Sequence, residues 1–170
     1  SKLSAETYIS FRHKAGEWAE VQEDIFNALK IYSLSFNYDI SKTASVSLGR
    51  KINPRLSNIG AMDGVQAEYT PGKFAVGAVA GFRPDYTDYG FNGNLFQYGG
   101  YAAYDTRNGA KSTQSSFAFM QQMNGSVTDR RFIYLQHSNS VIKNLFLLGS
   151  VEADLYTLVN DQPAATFDLT

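Results

Sequence analysis

Cysteine is absent from this 170-residue chain, and His13 and His137 are its only histidines. Without thiols there is no disulfide framework and no thiolate metal site, and two histidines outside any ligand-spaced cluster argue against zinc. No run of about 18 apolar residues occurs, so no transmembrane helix is encoded. The first residues, SKLSAETYISFRHK, lack the charged n-region and unbroken apolar h-region of a signal peptide. An excess of one charge is missing too. Fifteen Lys and Arg against 16 Asp and Glu leave a formal net charge of -1, with no broad basic surface for nucleic acid. The Arg50-Lys51 and Arg130-Arg131 doublets read as solvated loop ends. Helical periodicity is almost confined to 17–29, where Trp18, Val21, Ile25 and Leu29 recur among acidic residues. That stretch reads better as a hairpin loop running into the next strand than as a short helix.

What the chain has in abundance is aromatic side chains: 11 Tyr, 12 Phe and 1 Trp, 14% of the residues, alongside 14 Gly. Mean hydropathy is nevertheless only -0.27. Aromatics, glycine and modest hydropathy together suit an all-β protein, the membrane-barrel kind included.

Alternation of period two runs along almost the whole chain. Leu3, Ala5, Thr7, Ile9 and Phe11 alternate with Ser4, Glu6, Tyr8, Ser10 and Arg12. Tyr32, Leu34, Phe36, Tyr38 and Ile40 alternate with Ser33, Ser35, Asn37 and Asp39; a turn at DISKT then leads to Ala44, Val46 and Leu48. A second hairpin joins 65–69 to 73–82 through TPGK. Strands follow over 96–105, around 114–122 and from about 142 to 157, while RFIYLQH (131–137) is apolar on both parities and has no evident orientation. The last stretch, ATFDLT, alternates to its final residue.

Charge separates the two faces. The apolar parity is free of it over eight or nine residues in the clearest strands, while Glu6, Arg12, Asp39, Glu68, Asp105, Glu152 and Asp154 fall on the other. In a soluble sandwich the apolar face looks inward; in a transmembrane barrel it meets lipid and the polar face lines the lumen. Strand length favours the barrel, because soluble strands run five or six residues and tilted spanning strands about 9–11. KFAVGAVAGF (73–82) sharpens the choice. Phe74 and Phe82 bracket Val76, Ala78 and Ala80 on one parity, and Ala75, Gly77, Val79 and Gly81 occupy the other. The two rings lie about 26 Å apart along the strand at ~3.3 Å per residue. That suits two aromatic girdles bracketing a lipid-facing stripe, with the small face opposite a plug or loop.

Three stretches, GRKINPRLSNIGAMDGVQAEY (49–69), GFRPDYTDYGFN (81–92) and TDRRFIYLQHSNSVIKNLFLLGSVEADLY (128–156), carry a resemblance. They resemble the barrel portion of porin-like outer-membrane proteins of the Bacteroidota, over most of 28–170. The resemblance implies the outer membrane of a Gram-negative bacterium, and in such proteins the segment continues into further spanning strands. It supplies no catalytic residue.

Two irregular stretches are candidates for function. NPRLSNIGAMDG (53–64) offers Arg55, Asn58 and Asp63, either as a constriction folded into the lumen, with Arg55 and Asp63 setting a transverse field, or as an ordered surface loop. RPDYTDYGFNGN (83–94) carries Tyr86, Tyr89 and Phe91 as partner-contact candidates among Asp85, Asp88 and Asn92. Its acidic spacing does not match a calcium loop. Ser138 and Ser140 near His137 form no nucleophile elbow, and GAVAGF lacks the lysine of a phosphate loop.

The expectation is therefore an all-β antiparallel meander, residues 1–170, forming the front part of a longer transmembrane β-barrel; a soluble β-sandwich or small barrel is the alternative. Its seven charged residues on the polar parity are lumen-lining candidates. It is expected to be a porin-like passive channel for small solutes or ions, or else a non-conducting barrel subunit of an outer-membrane assembly. A soluble β-sandwich ligand binder is the third reading. Partners would be membrane lipid and other outer-membrane or periplasmic proteins; no enzymatic activity, metal or cofactor is expected. Unpaired strand edges are costly in hydrocarbon, so further strands are expected beyond Thr170.

Overall fold

The computed structural model describes residues 2–11, 16, 29–109, 111–142, 144–159 and 162–164. Arg12, almost all of the 17–29 stretch and the whole of ATFDLT (165–170) lie outside the described residues. Ten strands form one antiparallel sheet in chain order. They are β1 (Leu3–Phe11), β2 (Leu29–Asp39), β3 (Ala44–Ile52), β4 (Ala61–Tyr69), β5 (Phe74–Phe82), β6 (Leu95–Asn108), β7 (Lys111–Asn124), β8 (Val127–Asn139), β9 (Leu147–Val159) and the short β10 (Gln162–Ala164). The chain is an all-β meander in a single sheet, not two stacked ones, and β1 does not pair with β10 among the described residues, so the sheet is not closed into a barrel.

The faces are inverted relative to an ordinary sheet. On one face Leu34, Phe36, Leu48, Val65, Val76, Phe117, Phe119, Leu135 and Val151 remain 40–58% exposed. The opposite parity buries Ser35, Ser47, Gln66, Gln97, Ser116 and Gln136 to between 0% and 9% exposure. The buried face thus holds polar side chains among apolar ones, while the exposed face is apolar. Aromatic clusters mark both ends of the exposed face: Phe74 packs on Tyr104 at 5.1 Å, and Phe82 packs on Phe96 and Phe91 at 5.2 and 5.3 Å.

The sheet is strongly curled, as one loop demonstrates. Gln136 Nε2 on β8 donates to the carbonyl of Pro54, two residues past the end of β3, at 3.1 Å. On a flat sheet, five strand spacings would separate them by about 24 Å. Two residues reach only about 7 Å, so the sheet must bend until β3 and β8 face one another. A transverse row supplies one fold line: Ser35, Gly49, Gly64, Gly81 and Gln97 are successive register partners across β2 to β6. A Cβ on Gly64 would strike the Ala80 carbonyl oxygen and come within 2.5 Å of Gly81 Cα. Glycine lets the neighbouring backbone close in where the sheet turns its corner. Three bulges, at Tyr8/Ile9, Gln122/Met123 and Arg131/Phe132, add local twist.

Inside the curl, Leu56 and Ile59 of the β3–β4 loop pack with Met62, Val79, Tyr101, Ala118, Met120, Phe132 and Tyr134. This explains the small face of β5. Gly77 leaves the room that the Tyr101 ring occupies, and Ala75 is fully buried. It also orients RFIYLQH: Phe132, Tyr134 and Gln136 are buried inside, whereas Leu135 and His137 are exposed outside. The last long strand begins at Leu147 rather than near 142, because Asn144 adopts a left-handed φ of 62° in the preceding loop.

Candidate functional site

The β3–β4 connection, 53–60, enters the concave side and is fixed there residue by residue. Asn53 Oδ1 accepts from the Arg55 backbone N–H at 2.9 Å, a short local turn, and Ser57–Ile59 wind into one 3-10 turn. These bonds aim Arg55 inward. Its guanidinium donates through Nε to Glu68 at 2.7 Å and through Nη1 to Asp105. Burial works against its charge, but the hydrogen bonds to Glu68 and Asp105 outweigh this and raise its pKa above the usual arginine value. Glu68 also accepts from the Tyr101 hydroxyl at 2.6 Å and the Thr70 hydroxyl at 3.2 Å.

The far side of the loop is tied to β8 and β9. Gln136 Oε1 accepts from the Ser57 backbone N–H and hydroxyl at 3.1 and 2.7 Å and from the Tyr134 hydroxyl at 2.7 Å. The backbone N–H of Asn58 donates to the Tyr134 hydroxyl at 3.3 Å, and its side chain donates to Ser150 at 2.5 Å. A polar cavity of about 100 Å³ remains near the loop, lined in part by Lys51, Asn53, Gln66, Glu68 and Tyr101. The loop is a crossbar spanning the hollow side of the sheet.

A second arginine makes a similar arrangement. Arg130 pairs with both Glu152 and Asp154 and lies 4.2 Å from the centre of the Phe132 ring. Four of the charged candidates thus sit on the concave face in two ion-pair groups, Glu68 and Asp105 around Arg55, Glu152 and Asp154 around Arg130. Glu6 instead accepts from Ser33 at 2.8 Å, and Asp39 is exposed at the end of β2.

Asp63 is a correction. The irregular stretch ends at Gly60, so Asp63 belongs to β4 and opposes Arg50 on one side and Phe82 on the other. It therefore lies on the outer, apolar parity, pairs bidentately with Arg50 at 2.5 Å, and sets no field with Arg55. Of the three aromatic candidates, Tyr86 and Phe91 are 92% and 68% exposed, while Tyr89 is half-buried against Tyr32 at 4.7 Å. Sequence reasoning missed Tyr101, Arg130, Tyr134 and Gln136. Their parity with the other inward residues was the available signal for Tyr101, whereas Arg130 was disguised by its doublet.

His137 Nδ1 meets the Ser115 hydroxyl at 2.8 Å on the exposed face, and no carboxylate among the described residues pairs with this histidine. No group of three or more His, Asp or Glu among the described residues is placed to hold a metal ion. Comparison with known proteins gives no relative from which to transfer a role: no family model, curated protein or solved structure matches the chain.

Proposed function

We propose that this chain forms part of the wall of an outer-membrane β-barrel in a Gram-negative bacterium, with its hollow side obstructed by the 53–60 crossbar. The inverted burial carries this reading. An outer face with this many exposed large apolar side chains, backed by a face that buries polar side chains, suits hydrocarbon. Two further features agree. The strands β1 to β9, of 9 to 14 residues, are long enough to span at a tilt, and aromatic clusters stand at both ends of the exposed face.

Between an open porin-like channel and a non-conducting barrel subunit, the filled interior favours the second. Leu56, Ile59, Met62, Met120, Phe132 and Tyr134 occupy space that a solute would need. The protein would then serve an envelope assembly, with the exposed Tyr86 and Phe91 available to partners. The two ion-pair groups, typical of a hydrated lumen, support slow passage of small ions as the second reading.

The test has two parts. Lipid-soluble quenchers should reach labels at Val76, Leu135 and Val151 and not labels at Gln66 or Gln136; equal quenching would reject the membrane wall. In planar bilayers the protein should show no discrete openings, and Arg55→Ala should introduce them. Large openings without any mutation would return the porin reading to first place.

A further inference from the structure

We propose that the outer face carries a binding site for one acyl chain of a membrane lipid, roofed by the β5–β6 loop. The proposal rests on the membrane-wall reading above. A cavity of about 620 Å³ lies between the outer face of β2–β4 and residues 88–91 of that loop, within the size range of ligand pockets. Its floor is apolar, from Ile31, Leu34 and Leu48, and Phe91 contributes from the loop. Leu34 and Leu48 also belong to the exposed apolar band, so the cavity opens directly from the surface assigned to lipid.

The roof is held by three separate contacts. The Tyr89 ring packs on Tyr32 at 4.7 Å, the Phe91 ring packs on Phe82 at 5.3 Å, and Arg50 Nη1 donates to the Tyr89 carbonyl. Tyr89 itself has φ 61°, a left-handed backbone uncommon for a bulky residue. Surroundings that over-determine such a conformation mark functional clamps. Here the clamp keeps a hollow open that collapse of the loop would otherwise fill.

The polar end of the cavity explains the charge on the apolar face. Arg50 and Asp63 are 10% and 15% exposed in their side chains and neutralise one another at the cavity wall. Asp88 also lines the cavity, and Lys30 Nζ, outside that lining, donates to the neighbouring Thr87 carbonyl at 2.8 Å, so the cavity carries no excess of positive charge. An apolar chain with a zwitterionic or neutral head fits that balance better than a strongly anionic molecule.

The experiment uses the whole chain as isolated, with a trace phospholipid bearing a photoactivatable diazirine on its acyl chain. In excess detergent micelles, the bulk surface sees detergent, and labelling should concentrate on 29–34 and 88–91, several-fold above Leu135 and Val151. Leu48→Trp, which narrows the cavity, and Phe91→Ala, which unpins the roof, should each bring that labelling down to the level of Leu135. Uniform labelling in micelles would overturn the site. In vesicles of phosphatidylethanolamine carrying the same probe, Phe36, Val76 and Leu135 should all be labelled. Their labelling together with uniform labelling in micelles would reject the acyl site and leave the wall intact. Absence of label at all three would reject the wall, and the acyl site with it.

Discussion

Arg55 is the side chain on which the crossbar turns. Its own exposure is 10%, and its partners Glu68 and Asp105 are 28% and 34% exposed in their side chains. Truncation would strand two carboxylates near one another, but both keep some water, so the cost falls below that of a fully buried pair. Arg55→Ala is expected to destabilise by about 1–3 kcal/mol, read as a lower unfolding midpoint in denaturant. Tyr101→Phe removes one hydrogen bond to a charged acceptor while keeping the ring over Gly77, and should cost about 1.5–3 kcal/mol by the same measurement. A Tyr101→Phe loss as large as that of Tyr101→Ala would show that the hydroxyl, not the ring, carries the contribution. The sequence made Arg55 conspicuous because it sits beside Pro54 in an irregular stretch. Asp63 shared that stretch by proximity alone; continuing the parity of Val65 and Ala67 backwards would have placed it on the outer face. Tyr134 and Gln136 were illegible for a physical reason. The loop packs apolar surface against the inner face, so both faces of β8 are apolar there and periodicity loses its contrast.

At the level of strands, inverted burial makes opposite demands on the two parities. Val76→Arg places a charge on the exposed apolar parity and should cost about 2–4 kcal/mol in a bilayer if it lies near the midplane, measured by reversible unfolding in lipid. Exposure of 49% at the same position would make the change nearly neutral for a sheet in water. The glycine corner makes a demand of another kind. Gly64→Ala puts a methyl group against the Ala80 carbonyl and the Gly81 backbone, neither of which can yield without opening β4 from β5. A loss of about 1–3 kcal/mol is expected from the overpacking, with Ala78→Gly on the outer parity as a milder control. Alternation identified nearly every strand. Glycine pattern identified none of the bends, since Gly49, Gly64 and Gly81 become a row only once register is known. Bounds failed where turn geometry intervened, as at Asn144 before β9.

For the whole molecule, the exposed apolar face, and the outer edges of β1 and β10, unpaired among the described residues, predict how the protein behaves outside a membrane. Purified into buffer without detergent it should self-associate, and in detergent or lipid it should disperse; analytical ultracentrifugation in both conditions tests this. A stable, dispersed species in plain buffer would contradict the membrane wall.

The crossbar also has a temporal meaning. Every strand pairs only with its neighbours in sequence, so the sheet can assemble hairpin by hairpin with little loop-closure entropy at each step. Ser57 to Gln136 and Asn58 to Ser150, by contrast, join residues 79 and 92 positions apart. Those bonds cannot form until β8 and β9 have arrived and the sheet has bent at its glycine corner. The loop waits, already hairpinned between β3 and β4, and its engagement reports that curvature is complete. Assembly thus carries its own checkpoint: with the ladder in place but the sheet uncurled, Ser57 and Asn58 lack their partners on β8 and β9, and only the finished curve supplies them.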